Sequence, residues 1–577
     1  MINGRFLPST SYNSVLRKSL LSEVGLYNLS VASTHSVFRE LGPSVSLVDL
    51  QQKMTINCIK MTEKVEGMPQ PLEAEGSPIQ QFYQDKCVLI TGGTGFLGKV
   101  LTEKLLRSCS GVSQIFLIAR PKKGKTIHER IDDIFSDPLF AKIPAKARLK
   151  VEAIEGDCAV PGLGLSDQDR CLLVSKVHII IHAAATVRFD ERLSIAVDIN
   201  VRGTREMLDL AREMPGLKAF VHVSTAFANC HLQQIEEKFY PPPTSCENLS
   251  QLTQCVQPDL LDQITPQILD KWPNTYVYTK SVAEDLVLRY SKGLPVAVFR
   301  PAVVVATNSE PIPGWIDNLY GATGVVVGCG TGVLRTLQCD SSVSAQIVPV
   351  DMSCSAIIAA TWHVANRSNK DSNQNISKEE PMVPPIFNYV PSAERPITWA
   401  DFMSLSYTHG LQVPPLQTMW YICLTLHTSW FMNKLFVVLF HFLPAIIIDL
   451  IAMLFGKRTN LLKIYKKINK FSDVIAYFGT RTWDFKNTNT QALWQSLEAK
   501  DQQLFFFDMS QLDWNKYFYW YTRGVRQYLL KDDLSTVPQA QKRLRRFYWA
   551  HQGLKMLFAY FSINIIWSVT SMLLTMT

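Results

Sequence analysis

No two of the twelve cysteines stand in a CxxC pair, and no histidine belongs to an HExxH sequence. A structural zinc ribbon and a zincin-type metal site are thereby excluded. The cysteines are spread from Cys58 to Cys423 with no compact framework, so reduced thiols and a cytosol-facing protein are expected. Charge of one sign is also scarce. The net charge of +8 is small for 577 residues, and basic residues gather only near Lys542–Arg546, which argues against a nucleic-acid surface. No internal repeat or low-complexity tract is visible. Residues 1–80 lack any sustained apolar period, and no acidic residue precedes Glu23, whereas Arg5, Arg17 and Lys18 do. That bias is shared with mitochondrial transit peptides. The reading adopted is a disordered extension, with Met54, Met61 and Met68 as further candidate starts.

From Lys86 the chain alternates strand and helix. Apolar runs in "CVLIT", "QIFLIAR", "KVEAIEGD", "HIIIHAAA", "AFVHVSTAF" and "PVAVFRP" are separated by helical patterns starting near Phe96, Thr126, Ser166, Ser194 and Tyr276. This order predicts an α/β fold: a doubly wound parallel-sheet (Rossmann) domain over residues 81–400. The polar stretch 366–385 reads as a surface loop. A mostly helical C-terminal region follows over 401–550. Within it, the uncharged run Leu435–Ile448 is too short to span a bilayer and is interrupted by Pro444 and Asp449, so a buried or interface-lying helix is expected. The segment 556–577 carries no charge over 22 residues and is long enough for a transmembrane helix. Arg543, Arg545, Arg546 and Lys555 precede it, which keeps the preceding chain in the cytosol.

The glycines of "ITGGTGFLG" sit on a strand-to-helix turn. Gly92, Gly95 and Gly98 suit a tight turn, the close approach of a pyrophosphate, and the packing of the helix on the sheet. Thr94, Phe96 and Leu97 belong to the same turn. Arg120 stands about twenty residues on, where an NAD site has an acid, and Lys122, Lys123 and Lys125 follow; cations there suit the 2'-phosphate of NADPH. Asp157 lies at the end of the third strand, near an adenine or as a plain turn residue. Tyr276 and Lys280, four apart, share a helix face, where an ammonium lowers the phenol's pKa and the phenol protonates a carbonyl oxygen as hydride arrives. A strand-end hydroxyl, Thr225 or its neighbour Ser224, would stabilise the developing charge, with Thr225 favoured. No metal ligands are assigned.

Together, TGGTGFLG, HAAATVRF, HVSTAF, YxxxK and FRP resemble the extended short-chain dehydrogenase/reductases. "GTGFLGKVLTEKLLRSC", "HAAATVRFDE", "ITPQILDKWPNTYVYTK", "PIPGWIDNLYGATG", "GTRTWDFKNTN" and "FDMSQLDWNKYFYWYTRGVRQYLL" are more specific still, and are similar to the animal fatty acyl-CoA reductases from about Ile79 onward. The resemblance implies NADPH-dependent reduction of a long-chain acyl-CoA, through an aldehyde, to a primary alcohol. It also implies that Ala183, Ala184 and Ala185 line the cofactor, with Pro301 of "FRP" beside them. A membrane-lipid contact and a peroxisomal membrane location are implied, with the endoplasmic reticulum as second choice; a homo-oligomer is left open. Two alternatives remain open: a reductase of another lipid carbonyl, and a catalytically impaired homologue that binds NADPH or acyl-CoA as a sensor or scaffold. The second draws on Ala302 and Val305, where the family carries Ser and Gly; Ser355 also stands where the family carries Asn. A valine at 305 is expected to crowd the nicotinamide or the substrate mouth.

Overall fold

The computed structural model describes residues 76–577 apart from 123, 374–382, 392–393, 458 and 577. The extension expected over 1–80 therefore lies, up to residue 75, outside the described residues. Its last residues are folded. Ser77 closes a capping box with Gln80 at the head of the helix Pro78–Tyr83, whose Ile79 and Tyr83 are buried.

Seven parallel strands form the central sheet: β1 (Cys87–Thr91), β2 (Gln114–Ala119), β3 (Val151–Glu155), β4 (Ile179–His182), β5 (Ala219–Val223), β6 (Val296–Pro301) and β7 (Ile386–Tyr389). Their order is β7-β6-β5-β4-β1-β2-β3. The chain winds outward from β1 in one direction and returns to its other side at β4, so β1 and β4 flank the switch point where such sheets bind ligands. Register there is Thr91 opposite His182, and His182 opposite His222. β1, β4, β5 and β6 are buried along their whole length, as continuous Val/Ile/Leu-rich runs between two helical layers require.

Helix starts follow local chemistry. Thr126, Ser166 and Asn274 each cap the helix that follows with a side-chain oxygen. Two expectations are corrected. β7 was not foreseen, because its four residues follow a polar stretch and pair with β6 only after the helix Val350–Asn373 has crossed over. That helix also takes up residues 366–373 of the stretch expected to be a loop.

The segment around Leu435 differs more. It forms one continuous 25-residue helix, Trp430–Leu454. Pro444 lies inside this helix, directly after a π-helical stretch, and the Phe440 carbonyl one turn before it accepts from Arg335 Nη1 at 3.2 Å. Asp449 accepts hydrogen bonds from Thr459 Oγ1 (2.6 Å), Leu461 N (3.1 Å) and Leu462 N (3.0 Å), so it caps the next helix, Leu461–Gly479. Little of the first helix is buried. The C-terminal helix Val537–Met576 begins well before the apolar tail, and its apolar window is wholly exposed.

Candidate active site

The turn after β1 meets the end of β4. Gly92 has φ +73°, and a Cβ there would lie 2.9 Å from the Ala183 carbonyl carbon. On Gly98 a Cβ would lie 2.3 Å from the Gly92 carbonyl oxygen, so this glycine lets the helix close on the turn itself rather than on the sheet. Gly95 is different: its Cβ would meet nothing nearer than 3.2 Å. Protein packing demands the first and third glycines, while the second faces a cavity, where a bare backbone admits a ligand. Gly95 is also the N-cap of the 13-residue helix Phe96–Ser108, and no side chain caps that helix. Its first N–H groups and its dipole favour an anion.

Buried polar bonds fix the facing segment. Thr91 Oγ1 sits 2.8 Å from His182 Nδ1 and accepts from Ala184 N at 3.1 Å. His182 Nε2 lies 3.1 Å from Thr204 Oγ1, which itself donates to Asn200 O. Burial pushes the His182 pKa down to about 3, so this imidazole is a neutral strut. Asn200 accepts from Thr186 N (2.9 Å) and donates to Thr279 Oγ1 (3.0 Å), tying the alanine segment to the helix Thr275–Tyr290.

The sixteen residues assigned from the sequence to catalysis or cofactor binding all line one cavity of about 1080 Å³. At one end, Arg120 Nη1 bonds Asp157 Oδ2 at 2.9 Å, and Asp157 also accepts from Ala159 N as a turn residue. Sequence reading missed Arg130, which donates to Thr94 Oγ1 (2.8 Å) and to the Arg120 carbonyl. It lies one helix beyond β2, and no local pattern marks it. Lys122 also lines this end, Lys125 is paired with Asp133, and Lys123 is outside the described residues.

At the centre, Ser224 and Thr225 part company. Ser224 Oγ donates to Glu284 Oε1 at 2.5 Å. Glu284 is in turn held by Arg300 Nε (2.8 Å) and Nη2 (2.7 Å) in a fully buried bidentate pair. Thr225 is the hydroxyl that interacts with Tyr276. Burial pushes the Tyr276 pKa up to about 12, only partly offset by that interaction. The expected lowering by Lys280 is absent: its ammonium donates to Val223 O at 2.7 Å, and burial brings its own pKa down to about 8, against the pull of Glu284. Tyr276 stacks on Phe189 (ring centroids 5.9 Å apart, 21°), and Phe189 leans on Phe478 (5.5 Å).

Beyond this aromatic wall the cavity is apolar, lined by Val325, Leu337, Phe402, Met403, Leu426 and Ile475. Ala302 also lines it. Val305 does not: it is buried in a short strand beside Pro349, so the expected crowding of the site is not found. Ser355 is buried in the helix Val350–Asn373, away from the lining.

A doubly wound sheet with an uncapped glycine turn at its switch point and a Tyr–Lys helix beside it is the fold of an NAD(P)-binding reductase. The chain belongs to the fatty acyl-CoA reductases. It is 44% identical over 478 residues to Fatty acyl-CoA reductase wat of Drosophila melanogaster, covering 82% of this chain and 90% of that protein. Human Fatty acyl-CoA reductase 2 is 34% identical, again with 82% and 90% covered. Two family models described as male sterility protein match, one for an NAD-binding part at residues 90–357 and one at 440–532. Among solved structures, the terminal R domain from the myxalamid PKS-NRPS biosynthetic pathway aligns with a TM-score of 0.50 at 17% identity, covering 79% of this chain and 95% of that one; it supports the fold alone.

Proposed function

We propose that this protein reduces long-chain fatty acyl-CoA with NADPH to a primary fatty alcohol, through the aldehyde, releasing CoA. One observation carries the reading: a single cavity joins the glycine turn, the Thr225–Tyr276–Lys280 group and an apolar end lined by Val325, Leu337, Met403, Leu426 and Ile475, which suits an alkyl chain. The cofactor's fit rests on the uncapped helix at Gly95 for the pyrophosphate and on Arg120 with Arg130 for a 2'-phosphate, which a guanidinium fork suits. Bound there, a reduced nicotinamide supplies one hydride per dinucleotide, so each alcohol consumes two. The first hydride and a proton turn the thioester into aldehyde and CoA thiol; the second pair turns aldehyde into alcohol. Tyr276, protonated across the neutral range, holds the proton for the carbonyl oxygen, and Thr225 donates to the same oxygen as charge develops. Lys280 supplies the neighbouring positive charge.

Detergent-solubilised protein given NADPH and acyl-CoA of graded length is expected to accumulate alcohol, followed by mass spectrometry, with two NADPH oxidised per alcohol. Arg120→Asp should raise KM for NADPH far more than for NADH. Absence of alcohol at every chain length would overturn the substrate, and equal losses with both dinucleotides would overturn the phosphate assignment.

The pH profile tests the lysine. With its pKa near 8, Lys280 is charged below that value and neutral above it, so kcat should decline as pH rises through about 8. In Lys280→Arg the decline should move to higher pH, because a guanidinium keeps its proton. A flat profile from pH 7 to 9 would remove the lysine's charge from the mechanism.

We place the protein in an organelle membrane, peroxisomal first and endoplasmic reticulum second, with the catalytic body in the cytosol. Support comes from the exposed apolar helix after Lys555 and the basic residues before it.

A further inference from the structure

We infer that the helix Trp430–Leu454 and its partner Leu461–Gly479 form a second membrane element, a hairpin lying in the plane of one leaflet at the apolar end of the cavity. The inference rests on the membrane-facing reading above but uses different residues. In the first helix Asn433, Val437, His441 and Ala445 recur every four residues and are buried against the body. Asn433 Oδ1 accepts from Thr336 Oγ1 (3.1 Å), and His441 Nε2 accepts from Arg335 N (3.0 Å). The polar residues thus face the protein, while Leu439, Leu443, Ile447, Leu450 and Ile451 face outward, all more than 40% exposed. This is the reverse of a helix built for water, where the apolar stripe faces the core. Exposure peaks at the turn, with Leu454 83% and Phe455 78% exposed.

Charge selects a bilayer over other apolar partners. Lys457, Lys463, Lys466 and Lys467 flank the outward helix, are exposed, and form no ion pair with any described carboxylate. Such a fringe beside Leu, Ile and Phe fits acyl chains beneath anionic headgroups. The same lysines exclude a perpendicular insertion. From His441 to Leu454 a helix runs about 20 Å, so standing upright would carry them toward the hydrocarbon centre, where charges are costly. Lying flat, their stems reach headgroup level.

The level is shared with the tail helix through Arg335. Its Nη1 donates to Phe440 O (3.2 Å), its guanidinium lies over the Trp420 ring (5.7 Å), and Trp420 Nε1 donates to His551 Nδ1 (3.3 Å). Leu337, two residues on from Arg335, lines the cavity, as do Ile475 and Phe478 near the end of the second helix. The hairpin therefore brings the leaflet to the cavity's apolar end, where an acyl chain passes from lipid to Tyr276 without crossing water.

The test uses the full chain reconstituted in phosphatidylcholine vesicles containing phosphatidylserine. An environment-sensitive fluorophore is attached through Ile447→Cys or Lys463→Cys, with Cys58, Cys171 and Cys255 replaced by Ser. The label at 447 is expected to lose most of its emission to a nitroxide high on the lipid acyl chain and little to aqueous iodide, whereas that at 463 responds to a headgroup nitroxide. Strong iodide quenching at 447, strongest quenching of both labels by a nitroxide at the chain end, or protection of 447 in lipid-free detergent by a second copy would each overturn the proposal. NADPH oxidation in the same vesicles is read separately: quenching without reduction would count against the reductase reading, and reduction without quenching against the hairpin.

Discussion

Tyr276→Phe is expected to lower kcat by about 10²–10⁴-fold, the usual range for loss of a positioned general acid, while leaving dinucleotide affinity nearly unchanged. The substitution removes one oxygen. The ring keeps its stack on Phe189, and that ring its contact with Phe478, so the wall between the polar and apolar ends of the cavity stays in place. Burial holds the Tyr276 proton up to about pH 12, which makes the phenol a donor at every working pH and leaves no second donor of that kind assigned beside Thr225. Stopped-flow NADPH oxidation with acyl-CoA reads the rate, and nucleotide fluorescence titration reads the binding. Turnover within tenfold of the parent protein would reject Tyr276 as the proton source.

Arg300→Met should strongly destabilise the fold around the site. Arg300 is completely buried, forked onto Glu284, and donates further to Glu236 O and Lys238 O, each at 3.0 Å. Removing it strands a buried carboxylate that Ser224 alone then satisfies. Breaking such a pair from one side costs about 3–5 kcal/mol, a large share of a domain's whole stability of about 5–15 kcal/mol. A thermal melt should show an early transition, and the double change Arg300→Met with Glu284→Leu should recover much of the loss, because no uncompensated charge remains. If the single variant melts with the parent protein, the ion pair is not a structural keystone. If the double variant falls as far as the single one, the cost lies in packing rather than charge.

Much of the site was legible because its parts are local. A glycine turn between a buried strand and an amphipathic helix is written in consecutive residues, and Tyr276 and Lys280 share a face through helical period alone. The helix starts near Thr126 and Ser166 were equally readable, whereas the helix read from Tyr276 starts at Thr275, capped by Asn274. The strand β7 and the cation Arg130 were not, since each gains its meaning from a partner far away in sequence, Val296–Pro301 for one and Thr94 for the other. In the Leu435 segment the interruption expected at Pro444 and Asp449 is not found, for a related reason. Pro444 and Asp449 look like breaks when charge and imino rings are counted along a line, but bonds from the start of the next helix satisfy the aspartate, and Arg335 bonds the Phe440 carbonyl one turn before the proline.

By itself the sequence determined a nucleotide-binding α/β fold, its glycine crook, its Tyr–Lys pair and the family resemblance, because each depends on short-range spacing. Only the tertiary structure decided which hydroxyl meets Tyr276, where Val305 points and which way the apolar helix faces. Those are questions of orientation between elements, and orientation is set by burial and hydrogen bonding across the folded body rather than by any run of residues.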